Sequence, residues 1–275
     1  MKIESRLPSI IWTGVFIAIV MIWLMPIVFA LGTSFRSLQD VYDNVLAIFP
    51  TAPTFENYNQ LFEQLPMFKI IMNNFTIATT VTILKLVTSF LAAYALVFFR
   101  FTGKKPLYFL FIATIFIPFT VTMVPNYIML SKVGLTDHIA GVILPQVADA
   151  VGIFLLTQVM RSIPYSLIES AKLDEIGHFR IMKDIVLPLI SPQITSVGIW
   201  FFVNSWNEFV WPSLILKSKE SYTLPLALQM FISSEGGTNF AVAMAVSVIT
   251  MSIPLLLYLI FQKYIIGTFT ASGIK

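Results

Sequence analysis

The sequence predicts an all-α, polytopic membrane bundle of six transmembrane helices with one large cytoplasmic loop. Three observations carry that prediction. Hydrophobic residues make up 57% of the 275-residue chain and charged residues only 11%, where an ordinary soluble domain carries roughly 25% charged residues. Six apolar runs reach the length of about 20 residues that a helix needs to cross a hydrocarbon layer of roughly 30 Å. The runs are continuous and not alternating, which favours helices over the strands of an outer-membrane barrel.

The runs are Ile10 to Leu31, Ile70 to Phe99, Pro106 to Leu130, Ile139 to Met160, Leu189 to Trp211 and Phe240 to Phe261. The first follows Lys2 and Arg6 and ends near Val28-Phe29-Ala30, like a signal peptide, but its length favours an uncleaved span. The second is longer than one crossing needs, so it must tilt or project into water. Prolines inside the later runs, Pro118, Pro125, Pro145 and Pro254, each remove a backbone donor and mark expected kinks. No repeat or soluble segment interrupts the chain, so residues 1–275 read as a single membrane domain.

Orientation follows the distribution of positive charge. With an inside N-terminus, inner segments hold Lys2, Arg6, Arg100, Lys104, Lys105, Arg161, Lys172, Arg180, Lys183, Lys263 and Lys275, against Arg36, Lys69, Lys132, Lys217 and Lys219 outside. Both termini are therefore expected in the cytoplasm. The net charge of +3 is too small and dispersed for nucleic-acid binding, and the absence of cysteine removes disulfides and thiolate metal sites.

Two polar segments remain, an outer loop over 32–69 and an inner loop over 161–188. In the outer loop, Thr54 is a plausible cap for a short amphipathic helix with Tyr58, Leu61, Phe62 and Leu65 at helical spacing. In the inner loop, Ser162 is expected to cap a helix whose first turn holds Pro164, with Leu167, Ile168, Ala171 and Leu173 sharing one side. Gly177 ends that helix or opens a second one carrying Phe179, Ile181 and Met182.

Glu169, Ser170 and Ala171, followed at matching distances by Ile185, Leu187 and Pro188, resemble the "EAA" loop of binding-protein-dependent ABC importer permeases. Ser34-Phe35-Arg36, Glu56-Asn57-Tyr58, Phe99-Arg100-Phe101, Ile163-Pro164, the stretch Trp206 to Pro212 and the tail Gly267 to Lys275 are similar to its carbohydrate-uptake branch, in subunits like the second maltose-type permease. The resemblance implies that the inner loop is a coupling helix, with Glu169, Ser170, Ala171, Leu173, Asp174 and Gly177 docking an ATPase subunit. It also implies a heterodimer with a related permease, two ATPase subunits binding ATP and Mg, an external solute-binding protein, and residence in a bacterial or archaeal cytoplasmic membrane. Two positions depart from the motif. Ser170 replaces its second alanine, and Glu175 replaces a glycine that would ease a turn at φ > 0; Gly177 is expected to take over that bend.

The chain itself has no phosphate-binding Gly-x-x-x-x-Gly-Lys-Ser/Thr stretch and no catalytic constellation, so it reads as a transport subunit and not an enzyme. His138 and His178 lack carboxylates at ligand spacing, so no metal site is expected. Lys85 lies mid-span, where a charge must face protein or water; it is either a countercharge for an anionic solute or a partner for Asp149. Asn126, Tyr127, Asn204, Trp206 and Asn207 are further solute-path candidates, with Trp211 as a second ring that could stack on a sugar, although both tryptophans could equally anchor at the interface. The expected solute is a carbohydrate, with a glycerol-phosphate or polyol permease as alternatives within the family. An ion-coupled secondary carrier is the alternative outside it, but it would need inverted repeats or more intramembrane carboxylates.

Overall fold

A computed structural model describes residues 6–232 and 239–273, with side chains described over 11–232 and 239–263. Lys2 and Lys275, used for the orientation, and the end of the Gly267 to Lys275 tail lie outside those residues.

Every regular element among the described residues is helical. In chain order α1 is Arg6–Ser34, α2 Leu38–Asp43, α3 Glu56–Gln64, α4 Met67–Phe98, α5 Lys104–Ile115, α6 Phe119–Lys132 and α7 Ile139–Ile143, extended by a 3₁₀ turn at Leu144–Gln146. Then follow α8 Ala150–Arg161, α9 Tyr165–Leu173, α10 His178–Arg180, a π-helical stretch Ile181–Val186 and α11 Leu187–Leu189. The chain closes with α12 Ser191–Trp206, α13 Val210–Ile215, α14 Leu224–Ile232 and α15 Phe240–Gly273.

Three of the expected spans are single helices: Ile11–Ser34, Met67–Phe98 and Phe240–Lys263. The 32 residues of α4 would extend about 48 Å at 1.5 Å per residue, so the surplus length of the second run is continuous helix. The other three are broken. The pair α5 and α6 bends by 95°, the pair ending at Gln146 and starting at Ala150 by 45°, and the pair His178–Leu189 and Ser191–Ile215 by 81°. Pro118 sits at the first break as the N-cap of α6, and Pro145 lies in the 3₁₀ turn before the second, where a missing donor is tolerated. The spans number up to six when each bent pair counts as one.

The chain divides into two compact units, Met1–Met67 with Leu224–Ile253, and Phe68–Thr223 with Pro254–Lys275. In the first, Arg36 is fully buried and organises the outer loop. Its guanidinium donates to Asp40 Oδ2 at 2.6 Å and to the carbonyls of Asp40, Asn44 and Ala47 at 2.6, 2.8 and 2.8 Å. The Arg36 hydrogen bond holds the Asp40 carboxyl down from 3.8 to about 2. Asn57 on α3 donates to the carbonyls of Ser34 and Arg36, and Tyr58 donates to the Ser34 hydroxyl. The expected amphipathic helix is thus α3, with Leu61 and Leu65 buried but Phe62 exposed. Thr54 accepts from the Glu56 amide, although the N-cap position itself is Phe55.

In the second unit the core gathers Ala93, Tyr94 and Phe98 of α4, Leu156 and Met160 of α8, Ile168 and Ala171 of α9, Ile181, Val186, and Val197 and Phe201 of α12. A Cβ at Gly152 would collide with the Phe201 ring and the Ser89 hydroxyl, so α8 passes against both neighbours where only glycine fits.

Candidate functional site

The loop between α8 and α12 is half anchored and half free. Ile168 and Ala171 are buried in the core, while Leu173 is 84% and Phe179 76% exposed. The apolar set expected to share one side of α9 therefore splits, with Leu167 and Leu173 facing outward. Glu169, Ser170 and Asp174 are exposed as well. A cavity of about 590 Å³ lies between the end of α4 and α9, lined by Phe98, Phe99, Arg100, Tyr165, Glu169, Lys172 and Leu173.

The caps of this loop differ from expectation. Ser162 closes α8, donating to the Val159 carbonyl, and Pro164 occupies the N-cap of α9. At the other end, Ile176 N–H bonds the Ala171 carbonyl and Glu175 N–H bonds that of Lys172. This is the double reversal of a Schellman cap, which places its C′ residue in the left-handed region. That residue is Glu175, with φ 56°. Gly177 has φ −66° and ψ 151° and opens α10. It does not take over the bend; Glu175 carries it, at the position where the motif has glycine, because the two cap hydrogen bonds fix that residue. Glu175→Gly should therefore stabilise the permease by about 1 kcal/mol, the approximate scale of left-handed strain in a non-glycine residue. Thermal unfolding in detergent checks this, and an unchanged or lower midpoint would refute it.

The second helix of the loop continues into π geometry over Ile181–Val186, a form that needs tertiary support to persist. Ile181 and Val186 are fully buried. His178, at its start, bonds through Nδ1 to the Tyr94 hydroxyl at 2.9 Å and meets the Phe99 ring edge to face at 4.6 Å. The loop is thereby tied to α4, the helix that also carries Lys85.

Lys85 Nζ lies 3.0 Å from Asp149 Oδ2 and 5.2 Å from the centre of the Phe201 ring. Asp149 has a second task, since its Oδ1 accepts the Gly152 amide at 3.0 Å and caps α8. Of the two readings of Lys85, the structure holds the ion pair.

The remaining solute-path candidates scatter. Trp206 is fully buried, stacked on Phe202 at 5.6 Å, and Trp211 is fully buried, edge to face with Phe119 at 5.8 Å. Both rings pack within the protein, so neither the stacking face nor the interfacial anchor expected of them is accessible in this structure. Asn126 and Tyr127 are half-buried on α6. Asn204 on α12 and Asn207 at its C-cap are exposed and donate to the carbonyls of Trp200 and Val203. Trp200, 44% exposed, was not among the candidates; its signal was the i, i+4, i+7 spacing that puts it on the same face as Asn204 and Asn207.

At the opposite end of α4, a cavity of about 580 Å³ is lined in part by Lys69, Asn73, Asp137, His138, Ser218 and Ser221. Asp137, at φ 59°, accepts hydrogen bonds from the amides of Lys217 and Ser218 and from the Ser221 hydroxyl. Burial pushes the Asp137 carboxyl up, but the Ser221 bond and the two amides outweigh it and hold it well below the usual carboxylate range. Among the described residues, no group of three or more His, Asp or Glu is placed to hold a metal ion.

The family described as "Binding-protein-dependent transport system inner membrane component" matches residues 85–267, from Lys85 through the α9 loop and into α15. The chain belongs to that family. This membership makes it a membrane permease subunit of an ABC importer and not an enzyme, and it removes the ion-coupled carrier. The permease is 32% identical over 231 residues to the arabinooligosaccharides transport system permease protein AraQ of Bacillus subtilis (strain 168), covering 84% of this chain and 82% of that protein. It is 27% identical over 255 residues to the sn-glycerol-3-phosphate transport system permease protein UgpE of Rhizobium meliloti (strain 1021), covering 90% of each. Its fold resembles a crystal structure of a bacterial ABC transporter involved in the import of the acidic polysaccharide alginate, with a TM-score of 0.84 at 20% identity over 96% of this chain and 98% of that one.

Proposed function

We propose that the chain forms half of a heterodimeric solute path in a bacterial or archaeal cytoplasmic membrane and transmits ATP-driven movement through α9. The observation that carries this reading is the divided character of α9. Ile168 and Ala171 fix the helix to its own core, while Leu173 at its end, with Phe179 on α10, offers an apolar edge to another protein. A helix that is rigidly held yet unburied on its far side can receive a push and pass it inward. Two ATPase subunits, carrying ATP and Mg, supply that push, and a solute-binding protein delivers cargo from the other side. Both termini lie in the cytoplasm, as the distribution of lysine and arginine favours.

The solute is a carbohydrate or related compound. The Asp149 carboxylate compensates Lys85, which favours a neutral sugar or polyol over glycerol phosphate. Trp200 and Asn204 on one face of α12, with Asn207 at its C-cap, supply a stacking ring and two amides to its path.

Leu173→Asp in the assembled complex tests the coupling. Exposed substitutions away from caps and core usually change stability within about 0.5 kcal/mol, so the permease should still fold and insert. Losing one anchor at the centre of an interface costs about 2 kcal/mol, so solute-stimulated ATP hydrolysis and uptake should fall at least roughly tenfold. Glu169→Gln is expected to lower both in the same direction. Wild-type ATP hydrolysis and uptake in both variants would reject α9 as the coupling surface.

A further inference from the structure

The turn between α4 and α5 holds a group of positive charges, of which only Arg100 also lines the cavity beside α9. Arg100, Lys104 and Lys105 line a cavity of about 460 Å³ with Phe101, Gly103 and Pro106. Arg161, on α8, stacks at 4.8 Å over Tyr108, one turn along α5 from Lys104. Among the described residues, none of these four cations has a carboxylate within the 4.0 Å of an ion pair. Clustered like charges without counterions are costly, and an anion is the group that relieves them.

The cavity is also built rather than incidental. Lys104 Nζ is fixed by the carbonyls of Val97 and Phe99 at 3.1 and 3.0 Å, which orients it at the end of α4. Gly103, at φ 85°, turns the chain there, and α5 begins without a side-chain cap. The next cavity along, beside α9, contains Glu169 and does not share this uniform charge.

What surrounds the cavity selects the anion. Phe101 lines it with an exposed ring, and Leu107, Phe109 and Leu110 are exposed apolar side chains farther along α5. An anion whose charge sits at the end of a span while its body lies along apolar side chains is a membrane lipid, and basic pockets at span ends bind such headgroups. We infer that Arg100, Lys104 and Lys105 bind the phosphodiester headgroup of an anionic glycerophospholipid, whose acyl chains lie along α5.

The test uses the full-length permease in phosphatidylcholine nanodiscs doped with phosphatidylglycerol, with retained lipid counted by native mass spectrometry after extraction. Wild type should retain phosphatidylglycerol over phosphatidylcholine, and Arg100→Gln/Lys105→Gln should lose that preference by roughly tenfold, given the weight of each basic group at a lipid surface. Lys104 is left in place because it caps α4. Arg180→Gln/Lys183→Gln, which removes two exposed charges from the α9 loop, should leave the preference intact, and Arg100→Lys/Lys105→Arg should preserve it. Equal retention in wild type and Arg100→Gln/Lys105→Gln overturns the inference. So does an equal loss in Arg180→Gln/Lys183→Gln, which would indicate diffuse attraction. Complete displacement by millimolar inorganic phosphate would assign the pocket to a soluble anion and overturn the lipid.

Discussion

Asp149→Ala is expected to damage the permease more than any other single change within its spans, because one carboxylate there serves two structures. Its Oδ2 neutralises Lys85 and its Oδ1 caps α8 at Gly152. Removing one partner of a buried pair costs about 3–5 kcal/mol, chiefly because the other charge is left uncompensated. Lys85 and Asp149 retain 16% and 19% of their side-chain exposure, which screens part of that cost, so about 2 kcal/mol is the expected share of the pair. Loss of the cap adds about 1 kcal/mol. Asp149→Asn separates the two contributions, since an amide oxygen can still accept the Gly152 amide but carries no charge. The expected order of thermal stability in detergent is wild type, then Lys85→Met/Asp149→Asn, then Asp149→Asn, then Asp149→Ala. If Asp149→Asn matched wild type, the ion pair would contribute nothing. Should Lys85→Met instead reduce uptake of an anionic solute and spare a neutral one, Lys85 would be a solute countercharge after all.

That pair was half legible in the sequence. Lys85 and Asp149 stood out because charge is rare in apolar runs, and mutual pairing was one of two ways to keep both out of lipid. A single sequence could not choose, because 64 residues separate them and nothing local fixes how the second run meets the fourth. The spans divide on similar lines. α1, α4 and α15 were readable as continuous crossings because apolar length is a direct record of membrane thickness. The breaks were readable only as places. Pro118 marks where α5 must stop, but the 95° turn is set by what α6 packs against. The bend at Ile190, between Pro188 and Pro192, falls just inside an apolar run that carries no sign of a break in its hydropathy.

The tryptophans failed for a different reason. Hydropathy treats contact with lipid and contact with protein alike, so buried Trp206 and Trp211 could not be told from exposed Trp200. The α9 loop was legible as a pair of short helices but not at its caps, since Ser162 closes α8 and Pro164 takes the N-cap of α9. The sequence reading moves the bend to Gly177, whereas the structure keeps it at Glu175, where the motif has glycine. Two cap hydrogen bonds hold the left-handed residue in position.

Arg36→Met is expected to unfold the outer loop, the largest effect outside the spans. The guanidinium is fully buried and donates four hydrogen bonds, three of them to the carbonyls of Asp40, Asn44 and Ala47. An unsatisfied buried acceptor costs about 1–3 kcal/mol, so losing three donors should cost about 3 kcal/mol even after some of those carbonyls reach water. Arg36→Lys should recover little, because one ammonium cannot reproduce a planar fork aimed at four acceptors. Acid provides an independent reading of the same cluster. The Asp40 carboxyl is depressed from 3.8 to about 2, first by the Arg36 hydrogen bond. A carboxylate with a lowered folded value contributes stability that is present above its unfolded value and is lost as pH falls through the folded one. The outer loop should therefore lose Asp40's contribution between about pH 4 and pH 2, and Asp40→Asn should flatten that part of the profile. Limited proteolysis of the loop over residues 38–55, followed against pH in wild type, Arg36→Met and Asp40→Asn, measures both effects. Equal cleavage of wild type and Arg36→Met at neutral pH would mean that Arg36 does not hold the loop. If it does hold it, Arg36→Met opens the loop at neutral pH further than acid opens wild type, because protonating Asp40 leaves the three carbonyl bonds of Arg36 in place.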